Sequence, residues 1–181
     1  LSEEEQAKAD DLKGSPAAEN GKALRGAAKK GNTAEVRVRL AAGTDPDAAD
    51  ERGNTAAHEA AYGGHEEVIV ALAEGGADLD KTNDHSATPL MRAGTSGHSA
   101  AVRQLLALGA YHADAGAAGS ALRHAEASGH GEVANVLRRH ARQHRRAEQR
   151  AAREALLREQ AARADRPKAK AIYEKLLSKE D

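Results

Sequence analysis

The chain has 181 residues and a formal net charge of −1, and it contains no Cys, Phe or Trp. The missing cysteines exclude disulfides, thiolate metal sites and cysteine nucleophiles, and aromatics at 2% exclude a core built from bulky rings. Alanine supplies about a quarter of the residues, which favours closely stacked helices over a sandwich or barrel; no apolar run approaches the ~20 residues that a membrane span needs.

The near-neutral total hides an asymmetry. Ala41 to Asp80 holds ten acidic residues against one basic, Arg52, whereas Arg138 to Arg166 holds ten arginines against four acids. The middle is an acidic body and the tail is basic. At the start, Ser2-Glu3-Glu4-Glu5 reads as a capping box opening a helix to about Leu12. Gly14-Ser15-Pro16 predicts a break, and Pro16 to Gly21 a linker. The chain opens on Leu1 rather than Met, as a processed mature form or a trimmed one would.

From Lys22 onward the chain repeats itself. Gly31, Gly64 and Gly97 stand 33 residues apart, and Gly129 follows 32 later. Nine residues before each glycine stand Lys22-Ala-Leu-Arg-Gly-Ala27, Thr55-Ala-Ala-His-Glu-Ala60, Thr88-Pro-Leu-Met-Arg-Ala93 and Ser120-Ala-Leu-Arg-His-Ala125. Downstream, Gly43-Thr-Asp45, Gly76-Ala-Asp78 and Gly109-Ala-Tyr111 keep the period. Thr55 and Thr88 are placed to cap a short helix, with Pro89 at its first position. Gly64 and Gly97 suit the reversal between two antiparallel helices. Val68, Ile69 and Leu72, then Val102, Leu105 and Leu106, form the apolar stripes of the second helices. A single such pair cannot bury its face, so about four units stack, with the polar first unit (Arg37, Arg39 among Val36, Val38, Leu40) and the fourth (Val133, Val136, Leu137) as caps.

This recurring pattern resembles the ankyrin repeat, Thr-Pro-Leu-His-x-Ala, then Gly-His, a Val/Ile-rich helix and Gly-Ala-Asp, over about Lys22 to Arg139. The resemblance implies an all-α solenoid of helix-turn-helix units with projecting hairpin fingers, divided about 22–54, 55–87, 88–119 and 120–139. Residues 1–21 precede it and a basic helical extension, 140–181, follows. The resemblance also implies a non-enzymatic role in binding protein through finger tips and the concave face. The exposed positions of that surface are expected at Glu51, Arg52, Asn54 and Tyr62 in repeat two, and at Thr82, Asp84, His85, Thr95 and Ser96 in repeat three. Tyr62 is the expected anchor, and the abundance of Asp and Glu predicts a basic or polar partner. Met91 in the His position and Gly94 in an Ala position depart from the pattern. Gly94 is expected to cost about 1 kcal/mol relative to Ala and, with the short third finger between Gly109 and Ser120, to loosen that end.

Glu132 to Asp165 lacks Pro and Gly and is rich in strong helix formers, so one long helix is expected to leave repeat four, ending at Arg166-Pro167. A last helix carries Ile172, Tyr173, Leu176 and Leu177 as an apolar stripe. With that stripe, Arg142, Arg145, Arg146, Arg150 and Arg153 mark the tail as a second contact, for an acidic or extended protein, for nucleic acid backbone, for anionic lipid or for the chain's own acidic body, the alternative being a plain solvated helix. The readings that follow are an adaptor or scaffold, and an accessory subunit of a larger assembly, organellar forms included. His58, His65, His98 and His130 occupy repeat positions and are read as structural. His140 and His144 share a helix face but lack a third ligand, the finger aspartates lack the layout of a calcium loop, and no phosphate-binding or nucleophile motif is present. No catalytic residue, metal or cofactor is therefore assigned.

Overall fold

The computed structural model describes residues 1–110 and 118–163, with side chains for 1–110 and 121–160. All regular structure among them is helical: α1 (Glu3–Leu12), α2 (Ala17–Lys29), α3 (Thr33–Ala41), α4 (Ala56–Gly63), α5 (Glu66–Glu74), α6 (Pro89–Ser96), α7 (Ser99–Ala107), α8 (Ala118–Ala127) and α9 (Gly131–Arg163). The chain divides into two compact units, 1–138 and 139–181.

In the first unit, α2, α4, α6 and α8 pack side by side as one row, and α3, α5 and α7 form a second row behind. Each front helix turns back into its partner through a left-handed glycine, Gly64 at φ 74° and Gly97 at φ 78°. The core between the rows is alanine-rich: Ala28, Ala56, Ala57, Ala60, Ala61, Ala93 and Ala101 are fully buried beside Val36, Val68, Ile69, Leu72, Val102 and Leu105. Small side chains let helix backbones approach, and the branched residues of the second helices fill the space behind them.

The helix starts follow from their sequences. Ser2 Oγ accepts from Glu5 N at 3.2 Å while Glu5 returns a carboxylate to the Ser2 N–H at 2.7 Å, closing the expected capping box. Thr88 Oγ1 accepts from Met91 N at 3.3 Å, and Met91 Sδ accepts from the Thr88 N–H at 3.2 Å, so the thioether takes the acceptor role that His58 plays one repeat earlier. Pro89 occupies the first turn of α6.

One expectation needs correction. Residues 17–21 are helix, not linker. Pro16 sits at the N-cap with φ −57° and ψ 134°, its carbonyl accepts from Asn20 N at 3.1 Å, and Ala17-Ala18-Glu19 continue the turn as good helix formers. Gly21 is not a breaker: a β-carbon there would lie 2.7 Å from Ala48 Cβ, so glycine allows the first loop to press onto α2. In the first repeat α1 packs on α3, and its Ala9 is fully buried. Gly94 of α6 lies close to α8: an added β-carbon would stand 3.3 Å from the Ala121 carbonyl oxygen. Residues 111–117 of the third finger, which runs between Gly109 and Ser120, and the stripe Ile172, Tyr173, Leu176 and Leu177 lie outside the described residues.

Histidines tie consecutive repeats together. His65, His98 and His130 each place Nε2 on a carbonyl at the end of the preceding front helix: Lys29 at 3.0 Å, Tyr62 at 2.9 Å and Thr95 at 2.9 Å. A carbonyl can only accept, so each Nε2 is protonated and donates. Each ring lies against the glycine that ends that helix. A β-carbon on Gly31, Gly64 or Gly97 would come within 2.7, 2.7 or 2.6 Å of the next repeat's ring. These glycines therefore serve both a positive φ and a close packing contact.

In the second unit α9 continues to Arg163, as expected of the long helix. His144 Nδ1 lies 3.4 Å from Glu148, and Glu154 and Arg158 form an ion pair at 3.7 Å, both at i, i+4. An exposed pair such as Glu154–Arg158 contributes at most a few tenths of a kcal/mol. Among the described residues no helix is long and apolar enough to cross a membrane.

Candidate protein-binding groove

The front helices and the loops that project beyond them enclose a groove of about 880 Å³ in the first unit. Its floor is α2, α4 and α6. Its wall is the first finger, Ala48 to Asn54, with Asn83 and His85 of the second.

The fingers are held by their own polar groups. Asp50 Oδ1 accepts from Arg52 N at 2.9 Å and Asn54 N at 2.8 Å, and Oδ2 accepts from Asn54 Nδ2 at 3.2 Å. Burial raises the Asp50 pKa, but these hydrogen bonds outweigh it and hold the carboxyl below its ordinary value. Asn54 Oδ1 in turn accepts from Asn83 Nδ2 at 2.8 Å, and Arg52 O accepts from Asp84 N at 3.1 Å. Elsewhere on the loops the Asp47 carboxylate accepts from Asp78 N at 3.0 and 3.3 Å. Adjacent fingers are thus pinned by side chains, and much of their negative charge faces backbone N–H groups.

Below the fingers lies His58, fully buried. Thr55 N donates to its Nδ1 at 3.2 Å, and the Thr55 hydroxyl lies 3.0 Å from the same nitrogen. A backbone N–H can only donate, so Nδ1 is bare and Nε2 carries the proton, which it gives to Ala87 O at 2.9 Å. The imidazole bridges α4 and the end of the second finger in its neutral form. Burial lowers its pKa most, the Ala87 bond opposes, and the Arg92 charge adds to the lowering.

Tyr62 projects from α4 into the groove at 51% exposure, and the Arg92 guanidinium of α6 lies 4.6 Å from its ring centroid. The contact fixes a rigid ring with a cation on one face.

The expected site residues divide into three groups. Glu51, Arg52, Tyr62 and His85 line the groove and are exposed. Thr82, Asp84 and Thr95 are exposed and Ser96 half-buried, but they do not line it; the Thr95 hydroxyl bonds Met91 O at 2.9 Å. Asn54 also lines the groove, but its expected exposure is corrected: it is only 8% exposed, because its amide joins Asp50 to Asn83 across the finger bases. Sequence reasoning missed Lys22, Arg25 and Lys29 of α2, and Glu59 and Arg92, all of which line the groove. The 33-residue frame carried the signal, since Lys29 stands one period before Tyr62 and Arg92 one period after Glu59.

On α9, Arg142, Arg145, Arg146, Arg150 and Arg153 are exposed. At 100° per residue they fall on one face about 140° wide, with Glu148, Glu154 and Glu159 outside it. Arg146, Arg150 and Arg153 line a shallow hollow with Gln149. His140 and His144 stack with ring centroids 6.4 Å apart, and burial followed by the His144 charge lowers the His140 pKa. Among the described residues no three or more His, Asp or Glu side chains are grouped to hold a metal ion.

Comparison with known proteins agrees with this architecture. A family model described as ankyrin repeats (3 copies) matches residues 24–116. Two oxysterol-binding protein-related protein 1 sequences, from Rattus norvegicus and Mus musculus, are each 41% identical over 69 residues, or 37% of this chain. The chain spans 7% of the length of these curated relatives. With about half of its length matched by the family model and every front helix, turn glycine and bridging histidine in register, the chain belongs to the ankyrin-repeat family, whose fold is a non-enzymatic protein–protein interaction module.

Proposed function

We propose that this chain is an adaptor that holds one partner protein in the groove over α2, α4 and α6 and offers the arginine face of α9 as a second contact. The observation that carries this reading is Tyr62. It is a large side chain left half exposed, on the concave face, in a chain with three tyrosines and no Phe or Trp. A rigid aromatic in a concave setting is the usual anchor of a protein interface. The floor around it is preorganised by buried hydrogen bonds, so little ordering opposes association. The α9 face adds five arginines along one side of a helix, a surface suited to anionic groups.

Affinity capture from native extract tests the proposal with the full chain, a Tyr62→Ala variant and a variant with Arg142, Arg146 and Arg150 changed to Gln. The adaptor reading expects a discrete partner that Tyr62→Ala loses, and a further component that the arginine variant loses. A protein set unchanged by Tyr62→Ala overturns the groove as the site. Recovery of one large assembly, lost only with the arginine variant, favours an accessory subunit held by its tail; recovery abolished by nuclease favours nucleic acid there.

A further inference from the structure

The groove differs in sign from the body that carries it. Its lining includes five cationic side chains, Lys22, Arg25, Lys29, Arg52 and Arg92, against three acids, Asp50, Glu51 and Glu59. Asp50 is occupied by three N–H donors of its own finger. Among the described residues none of the five cations has a carboxylate partner within 4.0 Å. Arg25 is steadied by the Ala48 carbonyl at 2.8 Å, and Arg92 by the Tyr62 ring at 4.6 Å. Lys22, Arg25 and Lys29 stand at i, i+3 and i+7, so they share one face of α2. Tyr62, on α4, lies between this row and Arg92 on α6. The acids counted along the chain are turned elsewhere: Asp45 and Asp78 accept from Asp47 N and Asp80 N, each at 2.9 Å, and Asp47 accepts from Asp78 N.

We infer that the groove takes an extended acidic segment of the partner protein, with carboxylates on the Lys22–Arg25–Lys29 row and at Arg92 and an apolar or aromatic side chain on Tyr62. The inference rests on the groove being the partner site and adds the partner's chemistry. Unpaired cations on a concave low-dielectric surface focus a positive potential that speeds encounter with an anionic chain and rejects a basic one. Packed helices lie about 8–10 Å apart, so α2 to α6 spans roughly 20 Å, the reach of about six extended residues. A peptide can space its carboxylates around Glu51 and Glu59. Nucleic acid fits less well, since its phosphates are evenly spaced and one tyrosine is a poor stacking platform.

Fluorescence anisotropy with the full chain tests this. The probes are labelled peptides of about ten residues on a Gly/Ser background with one central Tyr, carrying several Glu, several Lys or no charge, and a labelled single-stranded RNA of similar length. The Glu peptide is expected to bind at least ~10-fold tighter than the neutral one at low salt, with the preference fading as salt rises. A Lys22→Gln/Lys29→Gln/Arg92→Gln variant is expected to lose that preference, and an Arg142→Gln/Arg146→Gln/Arg150→Gln variant to keep it. Unfolding midpoints verify that each variant is folded. Preferential binding of the Lys or neutral peptide, lost on Tyr62→Ala, overturns the charge assignment and leaves the groove as the site. Glu-peptide or RNA binding that only the α9 variant loses overturns the inference and assigns anion binding to the tail. RNA preferred over the Glu peptide and lost in the groove variant, or no measurable Glu-peptide binding, overturns it as well.

Discussion

The imidazole of His98 fills the space that a β-carbon on Gly64 would occupy, 2.7 Å from that position, while its Nε2 donates to the Tyr62 carbonyl at 2.9 Å. One glycine thus reverses the chain between α4 and α5, at φ 74°, and seats the ring of the next repeat. Gly64→Ala is expected to destabilise the first unit by about 2–4 kcal/mol, combining the left-handed backbone penalty with a steric conflict. In a His98→Ala background the same change should cost only about 1–2 kcal/mol, because the ring is gone. Gly43→Ala serves as a control. That residue has φ 86° with nothing within 4 Å of an added β-carbon, so only the backbone penalty of about 1–2 kcal/mol applies. Urea unfolding followed by circular dichroism measures all four.

The His58 bridge gives stability a pH dependence. Burial holds this imidazole below its ordinary value of 6.5, so below that pH the unfolded chain binds the proton more readily than the folded one. Its stabilising share is complete above pH 6.5 and is lost as pH falls from there toward the folded-state value. Unfolding free energies at pH 7.5 and 5.5 are expected to show the loss. His58→Met keeps an acceptor for the Thr55 N–H, as Met91 does for Thr88, but removes the donor to Ala87 O. It should cost about 1–3 kcal/mol at pH 7.5 and flatten the slope, leaving the contribution of His140, whose pKa is also lowered.

Asn54 and Asn83 form a buried amide pair at 2.8 Å across two fingers. Asn54→Ala is expected to destabilise by about 1–3 kcal/mol, since Asn83 Nδ2 loses its acceptor and Asp50 a donor. A double-mutant cycle with Asn83→Ala should give a coupling of about 0.5–2 kcal/mol. Independent, additive losses in thermal or urea unfolding would contradict the bridge.

The repeat was legible because its devices are chemical and local. The positive-φ glycines at 31, 64 and 97, the threonine caps, Pro89 and the stripe Val68-Ile69-Leu72 each announce their conformation, and the 33-residue period multiplies the signal. What escaped reading depended on tertiary contact. Pro16 to Gly21 has the composition of a linker, and its helical state is completed by Ala48 closing onto Gly21. Asn54 looks like a finger-tip residue until Asn83 arrives 29 positions later. The groove's charge was misjudged for a similar reason: acids were summed along the chain, whereas the fold turns finger aspartates toward backbone N–H groups and gathers Lys22, Arg25, Lys29 and Arg92 from separate repeats onto one face.

Site-specific photo-crosslinking tests the central claim most directly. A benzophenone side chain replaces Tyr62, on the groove floor, or Leu108, exposed at the end of the rear helix α7, and the full chain is irradiated in native extract. The groove as partner site predicts one or a few discrete adducts from position 62 and none of them from position 108. The same adducts from position 108, with none from position 62, would contradict it.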